Sequence, residues 1–510
     1  MSEKRALVKS TLAVTLVVFA SKAVGFVREM IMAGYFGSNA VTDAYNSAYS
    51  LFYLPVLLLS SGITSTLMPE YLRAEKELGA QGANRFGSGA FNMFALLSIA
   101  ISAVMFAFAR PLVKLIYPGF DGEKLELTVR LTRIMLPALA GFVGAVALAS
   151  ILNAKQKYVA AQLTGFPLSV ALIGAAICFS DKYGIEAQAW GIIAAGIGQL
   201  IILVPFLRGR FRYSPVCSFK DGRLKALVLL ALPAVLSMAV NELNHMIDRM
   251  LASGLNDGDI SAMSYAFKLI MFMTGVLVVP LTTVSFAKLS KQKLENNRAE
   301  VAEQTRESIK LLLTAIIPIV IIAAVASRQV IRFAYARGAF TEENVAVTGA
   351  VFLFYVVGVP FFGLRDLLNR VYHAFGDTRT PMVIAIISMA LNVVLNLILR
   401  IFMGVNGLAL STGIAALAGV ILLIMRMSRI LPGVFTGAFV KDLGKVLLAN
   451  IPVFIVAYAF AHFVPDAFGT LKLFVWLALM AVAALSVYGI SALALTGLSL
   501  KKLAKKILKR

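Results

Sequence analysis

The chain has 510 residues, of which 59% are hydrophobic and only 15% are charged. Soluble domains carry about 25% charged residues, and this much apolar surface would aggregate in water. The composition therefore excludes a soluble globular protein and fits a lipid bilayer. The net charge of +22 does not indicate nucleic-acid binding, because the basic residues lie mostly at the ends of apolar segments, where anionic lipid and membrane topology explain them.

Fourteen apolar segments follow one another along the chain, each near the roughly 20 residues that a bilayer-spanning helix needs. They are continuous rather than alternating, which excludes a transmembrane β-barrel. The first segment follows a basic stretch, as a signal peptide would, but it has no small-residue cleavage pattern. We therefore expect it to be retained. The predicted spans are 10–33, 43–69, 87–109, 128–152, 159–180, 187–207, 225–251, 261–287, 309–326, 345–373, 381–402, 406–426, 445–463 and 471–496.

The charges of the loops predict which side of the membrane each loop faces. Cytoplasmic loops are enriched in lysine and arginine, and the N-terminus and nearly every second loop after it are basic. The loops around Arg110 and Arg337 are exceptions with mixed charge. Both termini are therefore predicted to be cytoplasmic, which requires an even number of spans. The basic groups include Lys4, Arg5 and Lys9, then Lys155 and Lys157, then Arg208, Arg210 and Arg212, and later Lys441 and Lys445.

The chain also repeats itself at a spacing of about 220 residues. The segment ARPLVKLIYPGF at 109–120 is similar to ASRQVIRFAYARGAF at 326–340, which aligns Tyr117 with Tyr335. A period this long indicates duplicated halves, and duplicated halves are typical of transporters with a site between them. The predicted fold is an all-α membrane protein with two pseudo-symmetric six-helix lobes, 1–222 and 223–430, followed by two additional helices and a basic cytoplasmic tail in 431–510.

Ionisable residues inside a membrane cost several kcal/mol unless they face a cavity or a partner, so they are the strongest functional signal. The first span contains Lys22, Arg28 and Glu29. The seventh contains a polar stretch in which positions i, i+4 and i+7 share one face. Its polar residues are Asn241, Glu242, Asn244, His245, Asp248 and Arg249.

The repeat places opposite charges at equivalent positions of these two spans. If the spans face each other, such pairs can close one side of the membrane and separate when that side opens. Static pairing within a helix bundle is the alternative. An offset of 220 pairs Lys22 with Glu242, Arg28 with Asp248 and Glu29 with Arg249.

Two further residues are candidates. Lys268 lies deep in the eighth span, where a cavity-facing role is favoured over snorkelling to the interface. Asp43 begins the second span, and its position alone favours an ordinary helix N-cap. The sequence contains no Walker A motif, no metal-ligand spacing and no nucleophile elbow, so it predicts a transporter rather than an enzyme, without a cofactor.

Several motifs resemble the MurJ (MviN) family of lipid II flippases, within the MOP exporter superfamily that also contains MATE antiporters. The similarity runs in order through both halves. The motifs are SKAVGFVREMIMAGYFGSNAVTDAY at 21–45, YPGF and LTVRLTRIMLP within 117–137, ILNAKQKY at 151–158, YARGAFTEENV at 335–345 and AFGDTRTP at 374–381.

The resemblance implies a cationic central cavity that binds the pyrophosphate and sugars of an undecaprenyl-linked precursor. Ser21, Arg28 and Asp43 match family residues, Lys22 and Lys268 stand at family arginines, and Glu29 replaces an aspartate. The resemblance therefore implies Ser21, Lys22, Arg28 and Lys268 as substrate-binding residues. The second span departs, because it reads LPVLLLSSGI where relatives place an arginine and a glutamate. Lysine also lacks the bidentate fork with which arginine binds phosphate.

The expected function is export of lipid II from the inner to the outer leaflet of the bacterial inner membrane by alternating access. Because of the second-span departure, export of another lipid-linked glycan, such as a capsule, teichoic or O-antigen precursor, is the alternative. Membrane potential, Na⁺ or H⁺ are all possible sources of energy. Expected partners are the substrate lipid, anionic membrane lipids and cell-wall synthases, and a scaffold without transport activity would leave the intramembrane charges unexplained.

Overall fold

The computed structural model describes residues 2–216, 222–294, 298–463 and 469–496, and in these ranges the regular structure is entirely helical. Leu136–Ala138 forms one 3₁₀ turn. The helices are α1 (Ser2–Phe36), α2 (Ala40–Ala107), α3 (Ala109–Ile116), α4 (Gly122–Met135), α5 (Leu139–Ala154), α6 (Tyr158–Gln162), α7 (Gly165–Tyr183), α8 (Glu186–Leu207), α9 (Gly222–Ala252), α10 (Asp259–Leu294), α11 (Arg298–Val325), α12 (Ser327–Tyr335), α13 (Glu342–Ala374), α14 (Arg379–Met403), α15 (Val405–Ile430), α16 (Gly437–Leu448), α17 (Ile451–His462) and α18 (Thr470–Thr496).

Every predicted span coincides with one of these helices or with a consecutive group of them. In the described part of the chain, eleven helical stretches are long and apolar enough to cross a membrane. These eleven do not include α1 and α9, and they count α2 once. The all-helical membrane class is therefore confirmed, while the number of fourteen spans stays a prediction.

Helix α2 contains two predicted spans, 43–69 and 87–109, which the structure joins into one helical run. Its 68 residues would extend about 100 Å if straight, three times the hydrocarbon thickness. Gly79 interrupts the run with a φ of 68°, a conformation that favours glycine. The Tyr71 hydroxyl hydrogen-bonds the Asn84 side chain at 3.0 Å. Residues thirteen apart meet only if the helix folds back on itself, so Gly79 turns α2 into two legs.

The helix ends follow from local sequence. Asn39 caps α2 by accepting from the backbone N–H of Thr42, whose hydroxyl in turn accepts from the backbone N–H of Asn39. Gly184 ends α7 and Gly404 ends α14 with nearly the same dihedral angles, φ 55° with ψ −139° and −134°. These two glycines are one repeat apart, so equivalent helices of the two halves end in the same way.

One hydrogen bond is present twice, at the repeat spacing. Tyr117 donates to the Ser47 carbonyl at 3.3 Å, and Tyr335 donates to the Tyr265 carbonyl at 3.2 Å. Both bonds are buried and both join residues 70 apart. The aligned segments that suggested duplication therefore also have equivalent hydrogen bonds.

Contacts between Cα atoms divide the chain into two compact units. The first consists of Met1–Ser261 with Arg337–Phe340, and the second of Ala262–Ala336 with Thr341–Arg510. In the first unit the two legs of α2 pack against α4, α5 and α9, with Phe52 edge-on to Phe142 at its centre. In the second, α13 packs against α11, α12 and α15. The predicted lobes 1–222, 223–430 and 431–510 follow the repeat rather than these contacts and stay a prediction.

Candidate functional site

Arg28 and Glu29 form an ion pair within α1. The Arg28 guanidinium donates to one Glu29 carboxylate oxygen from Nη2 at 2.6 Å and from Nε at 3.2 Å. Their side chains are 18% and 10% exposed. Two charged side chains with so little exposure are tolerated because each compensates the charge of the other. The partner shown for Arg28 is thus its sequence neighbour, and the proposed pairing with Asp248 stays a prediction.

The ion pair lies near a ladder of three tyrosines on the first leg of α2: Tyr45, Tyr49 and Tyr53. Their spacing of four residues places them on one helix face, and the rings stack with centroids 6.2 and 5.3 Å apart. All three hydroxyl groups are close enough to Arg28 for electrostatic interaction. Tyr53 is also close enough to Glu242 of α9. Charges predicted in the first and seventh spans therefore meet around an aromatic surface of α2.

The remaining candidates of α1 differ in environment. Lys22 is exposed. Ser21 lies against α7, so close to Gly165 that a Cβ at that glycine would overlap the serine hydroxyl. In this structure Ser21 packs between two helices, and its predicted contact with substrate stays a prediction.

On α9, Glu242 and Arg249 line one small cavity together with Ser50 and Tyr117. Its volume of about 20 Å³ has room for about one water molecule. Arg249 donates to the Ser50 hydroxyl. Burial raises the pKa of the Tyr117 phenol, which therefore stays protonated as a hydrogen-bond donor.

The other α9 candidates are placed only in part. Asp248 is buried and His245 is half-buried, while the side chain of Asn241 lies outside the described residues. In the second unit, the Lys268 ammonium lies over the Tyr265 ring, 5.5 Å from its centroid, and the residue is half-buried.

Asp43 is the buried centre of a polar cluster. We call it the outer cluster because the predicted topology places it on the outer side of the membrane, and its members are Asp43, Lys124, Asp257, Gly258 and Ser261. The Asp43 carboxylate accepts from the backbone N–H groups of Gly258 and Ser261, both at 2.8 Å. It also accepts from the Lys124 ammonium at 2.9 Å, and Lys124 bonds Asp257 at 2.8 Å.

The interpretation of Asp43 as the N-cap of its own helix is wrong. Asn39 caps α2, whereas Asp43 binds free N–H groups at the start of α10. The N-terminus of any helix offers unpaired N–H donors and the positive end of the helix dipole. A carboxylate therefore stabilises the start of a neighbouring helix as well as that of its own. Position in the sequence does not reveal which helix a carboxylate caps.

Two loops, one repeat apart, close against helix ends in the first unit. Gly119 lies on the end of α9, with its N–H donating to the Ser253 hydroxyl at 3.2 Å, and a Cβ at Gly119 would overlap the Ser253 carbonyl. Ala339 donates to the Gly34 carbonyl at 2.7 Å. A Cβ at Gly338, whose φ is 54°, would overlap that same carbonyl. Their own charge is mixed, but the alternation of predicted spans from a cytoplasmic N-terminus predicts that both loops lie on the outer side of the membrane.

Residues 32–479 match the family model described as lipid II flippase MurJ. The chain belongs to the lipid II flippase MurJ family. A probable lipid II flippase MurJ of Rhizobium meliloti (strain 1021) is 30% identical over 453 residues, covering 86% of this chain and 82% of the relative. The corresponding protein of Thermotoga maritima is 30% identical over 446 residues, covering 87% and 88%.

Solved structures show the same fold. A lipid II flippase MurJ in an inward closed conformation has a TM-score of 0.79 at 24% identity, covering 98% of this chain and all of that one. A MATE family multidrug resistance transporter of the MOP superfamily in an inward-facing conformation has a TM-score of 0.68 at 15% identity, covering 81% and 98%. The predicted MOP-type architecture is therefore confirmed.

The sequence predicts the charged residues of the candidate site, but several of their neighbours were missed. The tyrosine ladder had a usable signal, because three tyrosines at spacings of four predict one aromatic helix face. Lys124 and Asp257 had none, since Lys124 lies at the start of α4 and Asp257 lies in the loop between α9 and α10, and only the fold brings them together. Among the described residues, no group of three or more histidine, cysteine, aspartate or glutamate side chains could hold a metal ion.

Proposed function

We propose that this MurJ-family chain is a flippase that moves lipid II, an undecaprenyl-pyrophosphate-linked peptidoglycan precursor, from the inner to the outer leaflet by alternating access. The observation that carries the proposal is the family match over residues 32–479, together with relatives of the same description covered over more than four-fifths of their length. We place the protein in the bacterial inner membrane, with both termini in the cytoplasm.

Arg28, Lys22 and Lys268 are the proposed partners of the pyrophosphate. An anion leaving water for a low-dielectric cavity needs fixed positive charge, and arginine offers phosphate a bidentate fork. Arg28 is held by Glu29, which keeps the charge compensated when no substrate is bound. Tyr49 and Tyr53 beside it are half-buried and offer aromatic faces of the kind that pack against sugar rings. Ser21 is a weaker candidate because it packs against α7.

The outer cluster and the two glycine loops are the proposed outer gate. Each consists of short contacts at the predicted outer ends of helices, where separation would open a path outward. Asp43, Glu242, His245 and Asp248 are the acidic and titratable groups through which Na⁺ or H⁺ would be coupled. Membrane potential is the other proposed source, at about 2.3 kcal/mol per charge per 100 mV. Cell-wall synthases are the proposed protein partners.

The proposal is tested by replacing the sole lipid II flippase of a host bacterium with this chain. We expect growth with the wild-type chain and failure with Arg28→Ala at normal abundance. Loss of a charge-assisted hydrogen bond of about 1.5–3 kcal/mol reduces substrate binding roughly ten- to hundredfold. Arg73→Ala is the matched control, because Arg73 also pairs with a nearby glutamate but is 63% exposed.

Because Arg28→Ala leaves Glu29 without its partner, Arg28→Ala/Glu29→Ala is the second variant, and it should fail equally. Growth of either variant at wild-type abundance contradicts the binding role of Arg28. The alternative substrate is favoured by the second span, where Val56 is buried and Ser61 donates to the Leu58 carbonyl of its own helix. Failure of the wild-type chain to replace the flippase, with rescue of a capsule-export defect, would select that alternative.

A further inference from the structure

A groove of about 480 Å³ lies in the first unit, away from the residues discussed so far. It is formed where the second leg of α2, helix α4 and helix α8 meet, at the ends that the charge pattern predicts to face outward. Its walls include Phe106, Arg130, Arg133, Ile134 and Trp190. Both arginines are thus placed at the depth of the lipid headgroups rather than in the central site.

The charged residues around the groove differ in whether they have an ion-pair partner. Glu126 pairs with Arg110, and Glu186 pairs with Arg130, each at 2.8 Å. Arg133 forms no ion pair within 4.0 Å in the part of the chain that the structure describes. Its Nε donates to the Phe106 carbonyl at 3.3 Å, and its guanidinium lies over the Phe106 ring, 5.4 Å from the centroid. The backbone and ring hold this guanidinium in place while its terminal nitrogens carry uncompensated positive charge.

An apolar surface continues from the groove along α8 towards the middle of the membrane. Trp190 is 56% exposed, and Ile197 and Ile201 follow at seven and eleven residues on the same helix face, 54% and 63% exposed. Tryptophan is enriched where the hydrocarbon meets the headgroups. A charged group at this level with an exposed apolar surface below it has the profile of a phospholipid, with a headgroup above and an acyl chain below.

We propose that this groove binds the headgroup of an anionic phospholipid of the outer leaflet. The planar guanidinium of Arg133 donates to the headgroup phosphate, since arginine matches phosphate oxygens with two parallel N–H groups. One acyl chain lies against Trp190 and the exposed isoleucines of α8. The uncompensated charge favours a lipid with net negative charge over a zwitterionic one. A soluble anion would not use the apolar surface, which is why a lipid is the stated occupant.

The test uses Trp190 as the reporter. The chain has two tryptophans, so Trp476→Phe leaves Trp190 as the single one. The full-length protein is reconstituted in vesicles containing brominated lipid, whose bromine quenches nearby tryptophan. We expect brominated phosphatidylglycerol to associate with the groove about fivefold more strongly than brominated phosphatidylcholine, as a contribution of about 1 kcal/mol per basic residue gives.

Arg133→Gln should reduce that preference to about one. The matched control is Lys182→Gln, which removes a cation that also lies over an aromatic ring, 5.2 Å from the centroid of Tyr183, but outside the groove. It should keep the fivefold preference. Equal quenching by the two lipids in the parent protein overturns the proposal, as does a preference that survives Arg133→Gln. Loss of the preference on adding millimolar inorganic phosphate would also overturn it, by identifying a site for soluble anions. None of these readings depends on transport, so the lipid site and the flippase function are tested separately.

Discussion

Asp43 illustrates how one carboxylate is used at the residue scale. It is 1% exposed, and it satisfies two backbone N–H groups and one ammonium at once. Asparagine has one acceptor oxygen and cannot accept from all three of these donors, and a buried donor left without its partner costs about 1–3 kcal/mol, more for a charged group. We expect Asp43→Asn to lower the midpoint of thermal unfolding of the purified protein markedly, as measured by circular dichroism in detergent.

Asp257→Asn is the matched control, since the same Lys124 ammonium binds both carboxylates at nearly equal distances. Asp257 is 67% exposed, and exposed pairs contribute about 0–1 kcal/mol. Its unfolding midpoint should therefore stay close to that of the wild-type protein. Equal midpoints for the two variants would mean that burial does not determine the strength of this cluster.

The ion pair of α1 and the outer cluster show how far single residues can be predicted from sequence. Arg28 and Glu29 were found because an ionisable residue in an apolar segment is costly, whereas Asp43 was interpreted as a helix cap and gained a further role only from its match to a family aspartate. The partners of these residues could not be predicted in the same way. Lys124 lies in the first turn of α4, within a stretch of mixed charge where a lysine carries no functional signal. Its role follows only from the packing of α4 against α2.

At the scale of elements, hydropathy predicted where helices lie but not how they connect. The segment between the spans 43–69 and 87–109 is rich in charge, which favoured an interruption, yet it continues α2 on both sides of Gly79. Lysine, arginine and glutamate are good helix formers, and Arg73 of this segment pairs locally with Glu70. Hydropathy indicates whether a segment lies in lipid or in water. It does not indicate where a helix ends, because the helix is held by backbone hydrogen bonds.

The two glycine loops give a prediction at this scale. Gly119→Ala and Gly338→Ala each place a Cβ where a backbone carbonyl lies, and a backbone contact cannot relax as a flexible side chain does. The loops should move away and open the predicted outer side. We expect faster modification of Leu54→Cys, which lines the small cavity beside Arg249, by a membrane-impermeant thiol reagent, in a background without the native cysteines.

Gly122→Ala separates this effect from backbone strain. Gly122 has a φ of 52°, so alanine is strained there, but a Cβ would meet nothing within 4 Å. Its modification rate should match that of the parent protein. If Gly122→Ala accelerates modification as much as Gly119→Ala does, strain in the loop rather than the lost close contact is responsible, and the gate assignment fails.

For the whole molecule, the duplication was predictable from sequence because polar positions recur within the apolar background. The equal bonds of Tyr117 and Tyr335 and the equal ends at Gly184 and Gly404 give it a structural basis. The groove at Arg133 was not predictable. Its walls come from three helices that are distant in sequence, and exposed arginines near helix ends are common in membrane proteins for reasons of topology alone.

The sidedness of the whole chain is the last prediction, and it depends on the fold of α2. Because Gly79 turns α2 back, we expect its two legs to cross the membrane in opposite directions, with the bend on the predicted cytoplasmic side. In a background without the native cysteines, intact cells should show labelling of Asp257→Cys by an impermeant thiol reagent. Gln81→Cys, next to the bend, and Lys441→Cys should be labelled only after the membrane is opened. All three positions are exposed, so burial does not prevent their reaction. Labelling of Gln81→Cys in intact cells would mean that the bend faces outward, which would contradict both the charge-based orientation and the placement of the outer cluster.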